Sequence, residues 1–162
     1  MSDGNREFTH MDSGGRLRMV DVSEKDVTVR EARAEGEVEL SAETLQRITE
    51  GRIAKGNVFE VARLAGIMAA KRTWELIPLC HSLQLTGVSI DFEADPARNI
   101  IGIRSWVRTQ DRTGVEMEAL VAVAHAALTI YDMCKAVDRG IKIGNIRLTF
   151  KSGGRSGVYE RA

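Results

Sequence analysis

Apolar and polar positions change period along the chain, and each change marks an element. From Val27 to Leu40 β-branched residues and alternating charges give an extended character. Ser41 is placed to cap a short helix carrying Leu45 and Ile48, with Gly51 as its stop. Asn57 followed by Glu60 opens a second helix, in which Val58, Val61, Ala62, Ala65, Met68 and Ala69 keep helical spacing. Pro78 lies beyond its end. Val88 to Glu93 then alternates at period two, which predicts a strand with one wet face. After a turn at Asp95-Pro96-Ala97-Arg98-Asn99, Ile101, Ile103, Ser105 and Val107 share the inner face of a second strand. Thr113 and Glu116 form a capping box for a long helix running to about Val137. A last strand places Ile146, Leu148 and Phe150 on one side and Arg147, Thr149 and Lys151 on the other.

The order is β, short α, α, β, β, α, β. That is the split βαβ arrangement of an α+β, ferredoxin-like βαββαβ fold, an antiparallel sheet with helices packed on one face. At 162 residues the chain fits a single domain, residues 1–162. Residues 1–18 and 152–162 are polar and glycine-bearing, and both stretches are expected to be mobile. From Ala119 to Tyr131 only His125 and Thr129 fall outside the apolar set. A helix apolar all round must be covered all round. One sheet covers about half of it, so a partner subunit, and hence a homo-oligomer, is expected.

Composition narrows the partners. The 23 basic and 23 acidic residues cancel, so no net field draws the chain to nucleic acid or to an anionic membrane. Aromatics are 5 %, with no strand cluster of the kind that stacks RNA bases. No unbroken apolar run reaches the ~18 residues of a spanning helix, and the polar start lacks a secretory core. Cys80 and Cys134 are far apart and match no disulfide or zinc spacing. The expectation is a reduced, cytoplasmic protein with no protein-held metal.

Polar groups on a helix that must be buried are the first leads to chemistry, because unpaired burial is costly. Asp132 and Lys135 are three apart and share a face, which suits either a structural ion pair or an acid–base pair. Glu116 has a capping role available; Glu118, on another face, has none and is the stronger site residue. His125 lies seven residues from both Glu118 and Asp132, yet the axial gap of some 10 Å favours a hydrogen-bonded histidine over a metal ligand. In an extended segment Cys80 and His81 project oppositely, so they make no thiolate–imidazole couple. Lys55 and Gly56 precede a helix start, where free N–H groups favour anions. Lys151, Arg155 and the glycines between them suit either a phosphate loop or a solvated tail, and Lys71-Arg72 is similarly open. Several cations, two carboxylates and a histidine on an apolar scaffold fit an anionic small molecule undergoing proton transfer.

Longer runs carry a resemblance. Met19-Val20-Asp21-Val22-Ser23, Lys55-Gly56-Asn57-Val58-Phe59, AGIMAAKRTWELIPLCH from Ala65 to His81, Gly114-Val115-Glu116-Met117-Glu118-Ala119-Leu120, ALTIYDMCKAV from Ala127 to Val137, and Lys151-Ser152-Gly153-Gly154-Arg155-Ser156-Gly157 together resemble the cyclic pyranopterin monophosphate synthase family of molybdenum cofactor biosynthesis. The resemblance spans about residues 9–158. It implies a ferredoxin-like subunit in a hexamer, a trimer of dimers, with active sites at interfaces. It implies a lyase that converts 3′,8-cyclo-7,8-dihydroguanosine 5′-triphosphate to cyclic pyranopterin monophosphate with release of pyrophosphate. Lys55, His81, Asp132 and Lys135 match catalytic positions, with Asp132 as acid/base. Leu79, Cys80, His81, Glu116, Met117, Glu118 and Lys151 match substrate contacts. No cofactor is required, although Mg2+ can accompany the triphosphate. The family has a small apolar residue where this chain has His125, and a proline where it has Ser82, which frees the backbone beside His81. The alternative is a non-catalytic small-molecule-binding regulatory module of the same fold, which would not need both Asp132 and Lys135.

Overall fold

A computed structural model describes residues 10, 11 and 14–162; the expectation of mobility at the N-terminus falls largely on residues 1–9, 12 and 13, outside the described residues. The elements in order are β1 (Thr28–Glu39), α1 (Ala42–Thr49), α2 (Val58–Ala70), α3 (Thr73–Leu76), β2 (Leu85–Asp95), β3 (Ile100–Asp111), α4 (Glu116–Cys134), β4 (Lys142–Ser152) and β5 (Tyr159–Glu160). The sheet order is β2-β3-β1-β4-β5, and every neighbouring pair is antiparallel. This is the ferredoxin-like α+β arrangement read from the sequence, with one strand added at the β4 edge.

Alternation builds the sheet. On β1 the row Arg30, Ala32, Ala34, Gly36, Val38 is buried, while Arg33, Glu35 and Glu37 face outward among further charges. Register then stacks Val38 on Ile101 and Ala34 on Ser105, and β2 adds Val88 opposite Val107 and Ile90 opposite Ser105. Ile90, Ile101, Ile103 and Ile130 are fully buried, each contributing roughly 1.5–3 kcal/mol. The helices close on this face. Gly66 lets α2 lie against α4, since a side chain there would overlap Ile90 and the Ala122 carbonyl. Gly36 gives the same clearance to Val123.

Two caps behave as their residues predict: the Ser41 hydroxyl accepts from the Thr44 amide at 3.2 Å, and the Asn57 side chain accepts from the Glu60 amide at 3.2 Å. The Thr113/Glu116 box does not form. α4 starts at Glu116 with Val115 at its N-cap and no side-chain cap, and it stops at Cys134, short of Val137. Glu116 is turned instead toward Lys151, at 3.6 Å.

β4 departs from simple alternation. Its pairing with β1 slips twice, between Arg33 and Ala34 and between Glu35 and Glu37, where Asn145 has a positive φ of 54°. Each slip inserts a residue and reverses the faces that follow. Phe150 therefore pairs with Arg33 on the outer face, the guanidinium 4.8 Å from its ring centre, while Lys151 pairs with Ala32 on the helix side. Uniform alternation would have put Lys151 on the wrong face of the sheet. In the C-terminal stretch Tyr159 and Glu160 pair with Lys151 and Phe150 as a short edge strand.

α4 has the length and mean hydropathy, 1.3, of a membrane span, but most of its residues are buried in the chain. The sheet covers one side and α2 a second, so the chain covers more of α4 than a sheet alone would. What stays open on α4 and α2 is Leu128, 55 % exposed, with Val61, Leu64 and Met68.

Candidate functional site

Most of the residues singled out from sequence fall into two groups at opposite ends of α4. Sixteen residues separate Glu116 from Asp132, about 24 Å along the helix.

At the N-terminal end, Glu116, Met117 and Glu118 open the helix beside the irregular segment that holds Leu79, Cys80 and His81. All six line a cavity of 460 Å³ together with Val20, Val22 and Lys25. A second cavity, of 520 Å³, shares Lys25, Thr113, Gly114 and Glu116 and is completed by Arg30, Arg112, Lys151, Arg155 and the glycines between them. Cations and carboxylates thus converge around one recess. Gly114 leaves the space into which the Glu116 carboxylate folds back. Gly153 and Gly154, at φ 96° and 71°, lie on the Val29 carbonyl and the Arg30 guanidinium, where any side chain would overlap. Leu79 is held at φ 68°, an uncommon conformation for a branched residue and one that clusters at functional sites.

The electrostatics of this end favour proton exchange. Glu118 is 4 % exposed. Burial, reinforced by the neighbouring Glu116, raises its carboxyl from 4.5 to about 7 against the opposing pull of a backbone N–H. A carboxyl poised there gives and takes protons near neutral pH. Burial, and then Glu118, raise the Cys80 thiol, so Cys80 is a packed neutral group rather than a nucleophile. The His81 ring has a definite orientation: its Nε2 lies 2.8 Å from the Val20 carbonyl. A carbonyl only accepts, so Nε2 carries the hydrogen and Nδ1 is the nitrogen left for a ligand.

At the C-terminal end, the Lys55 ammonium donates to the Asp132 carbonyl at 2.7 Å and to its Oδ2 at 3.2 Å. The Lys135 ammonium donates to Asp132 Oδ1 at 2.6 Å. Lys55 sits on the turn closed by the Gly56 amide and the Ile53 carbonyl, and Ile53 is anchored in the core. One carboxylate therefore holds two ammonium groups over the negative end of the helix dipole. Hydrogen bonds from Lys135 and then Lys55 lower the Asp132 carboxyl, and Asp132 in turn raises Lys135. All three side chains are open to water. In the single chain the cluster is a charged platform, not a closed pocket.

His125 belongs to neither group; its Nδ1 bonds the Val121 carbonyl of its own helix at 3.2 Å. Among the described residues no three His, Cys, Asp or Glu come together as a metal shell.

Sequence reasoning passed over Lys25, Arg30 and Arg112. Arg30 had a visible signal: it is a charge in phase with the inward row Ala32, Ala34, Gly36, Val38, a position where a charge needs a purpose. Lys25 and Arg112 lie in loops, where no period marks them.

Residues 19–154 match the MoaC family, a span that holds both groups. A curated relative from Chloroflexus aurantiacus is 58 % identical over 161 residues, covering 99 % of each chain. One from Pelotomaculum thermopropionicum is 60 % identical over 154 residues, 95 % of this chain and 91 % of its own. One from Roseiflexus sp. is 60 % identical over 153 residues, 94 % and 97 %. Each of the three is named cyclic pyranopterin monophosphate synthase. With a match that takes in both ends of α4 and relatives alike over nearly their whole length, this chain belongs to the MoaC family.

Proposed function

We propose that this chain is an enzyme of molybdenum cofactor biosynthesis that makes cyclic pyranopterin monophosphate from 3′,8-cyclo-7,8-dihydroguanosine 5′-triphosphate and releases pyrophosphate. The observation that carries the reading is the family match over residues 19–154, because every proposed site residue except Arg155 lies inside it. The geometry supports the same reading. The recess beside Glu118 offers a proton carrier near neutrality, and Lys25, Arg30, Lys151 and Arg155 around it suit a polyanion.

The working site needs both ends of α4, and one helix cannot bend them together across about 24 Å. We infer that copies of the chain pair so that the Lys55/Asp132/Lys135 platform of one protomer closes over the Glu118/His81 recess of another. Such a pairing is isologous and forms two sites at once. The open apolar stripe of α2 with Leu128 suits the contact, and three such dimers give a hexamer acting in the cytoplasm. Closing the platform removes water from Asp132, which brings its carboxyl and the Lys135 ammonium closer to sharing a proton.

In the assembled site, Lys55 and Lys135 neutralise charge that develops as pyrophosphate leaves, and His81 presents Nδ1 to the substrate. Glu118 and the Asp132/Lys135 pair move the protons that the ring rearrangement needs. No protein-held cofactor is proposed; Mg2+ would be held by the triphosphate oxygens and would offset part of their charge. The test is incubation of the purified protein with the cyclised nucleotide, following pyrophosphate. Stoichiometric release with the cyclic product is expected; release no faster than without protein would overturn the reading. Lys55→Ala should weaken binding of the triphosphate about tenfold by calorimetry, the loss of one charge-assisted contact. Unchanged affinity would remove Lys55 from the phosphate site.

A further inference from the structure

The segment Val20–Ser23 crosses the recess as a strap. Asp21 Oδ1 accepts from the Ser23 amide at 2.9 Å, and the Lys25 amide donates to the Val22 carbonyl at 3.0 Å, so the segment is a tight unit. Its Val20 carbonyl takes the His81 Nε2 hydrogen. At its other end the Ser23 carbonyl accepts from Arg112 Nη1. Arg112 itself stands on a turn fixed from beneath. The buried Arg30, 8 % exposed, donates through Nε to the Asp111 carbonyl at 3.3 Å and through Nη2 to the Arg112 carbonyl at 3.2 Å. Gly153 and Gly154 close over that guanidinium.

A continuous line of contacts therefore runs from the sheet, through Arg30 and Arg112, to the strap and to the His81 ring. We propose that Arg112 is a positioning residue for His81: by gripping Ser23 it holds the Val20 carbonyl where it keeps the hydrogen on Nε2 and leaves Nδ1 to the substrate. His81 needs such a support. It lies in a stretch without regular structure, and the residue that follows is Ser82, which does nothing to stiffen the backbone. Arg112 touches the strap rather than the ring, so its effect on the reaction is indirect. The catalytic consequence rests on the function proposed above; the structural consequence does not.

The experiment compares the full-length wild type with Arg112→Ala and Arg112→Lys. Nitrogen-15 shifts of the His81 ring read the tautomer, with His10→Gln and His125→Gln assigning the signals among the chain's three histidines. Kinetics with the cyclised nucleotide read the reaction. The wild type should show the Nε2–H form. Arg112→Ala should show both tautomers and a kcat lowered roughly 10- to 100-fold by misplacement of the ring, with KM within about threefold. Arg112→Lys, which keeps a donor, should restore most of both. Unchanged ring shifts in Arg112→Ala would overturn the proposal. A raised KM at constant kcat would overturn it too, since Arg112 would then act by binding the anion. If Arg112→Ala does not fold, Arg112→Met, which keeps the stem and has no donor, is read in the same two ways. A wild type that shows the Nε2–H form but no turnover would sink the function and leave the strap standing.

Discussion

Asp132→Asn is expected to lower kcat by about 10²–10⁴-fold, the usual worth of a positioned acid or base, without changing the size of the assembly. Asp132 is the hub of its platform: each oxygen takes a different ammonium, Oδ1 from Lys135 and Oδ2 from Lys55, and its backbone carbonyl takes Lys55 again. Asparagine is nearly isosteric and keeps one acceptor oxygen. It cannot hold two cations, however, and it cannot carry a proton. Because the side chain is open to water in the single chain, its loss costs little folding stability. The prediction is therefore a wide separation between activity and stability, read by initial rates and by thermal melting of the same preparations. Near-normal turnover would take Asp132 out of the reaction.

Glu118→Gln is expected to lower kcat about 10²-fold and to change how stability depends on pH. The folded chain keeps the Glu118 proton up to about pH 7, whereas an ordinary glutamate releases it near 4.5. Between those two values the folded state binds more protons than the unfolded one, so stability falls as pH rises from about 4.5 to about 7 and is level above that. The gap corresponds to roughly 3 kcal/mol at full burial. Glutamine does not titrate, so this pH dependence is lost in the variant. The variant should be more stable than the wild type at pH 8, by up to about 3 kcal/mol, and the advantage should shrink toward pH 5. Denaturant titrations at the two pH values check this; parallel pH dependences would show that the wild-type carboxyl is ionised throughout. The same substitution that stabilises the fold should cost activity, as expected of a buried group kept for its chemistry.

Most of the fold was legible because it depends on local periodicity. Ser41, Asn57 and the rows of Ile101, Ile103, Ser105 and Val107 announced their elements, and the order of β1 to β4 follows once two crossovers and one hairpin are joined, whereas the short β5 carried no sequence signal. What escaped was set by tertiary pairing. The slips that turn Lys151 to the helix side come from how β4 lies on β1, and no period in β4 itself encodes them. The Thr113/Glu116 pattern reads as a capping box, but Lys151 draws the Glu116 carboxylate away. At the site, residue types were readable and positions were not. Asp132 and Lys135 are neighbours on one helix, so spacing alone pairs them. Lys55 reaches Asp132 across 77 residues of sequence, and Arg112 reaches the strap across 89. Spacing along the chain carries no trace of such contacts; the family resemblance put Lys55 and Asp132 in one site, and nothing in the sequence pointed to Arg112.

The most direct test of a site shared between two copies mixes two crippled subunits. Asp132→Asn and His81→Ala are each prepared, dissociated, combined in equal amounts and reassembled. If the platform of one protomer serves the recess of its partner, half the dimers are mixed and one of the two sites in each regains both residues. Activity should then rise to about a quarter of the wild type. Activity that stays at the level of the separate variants, with subunit exchange verified by mass, would mean that each chain works with its own two ends, and the proposed site would be contradicted.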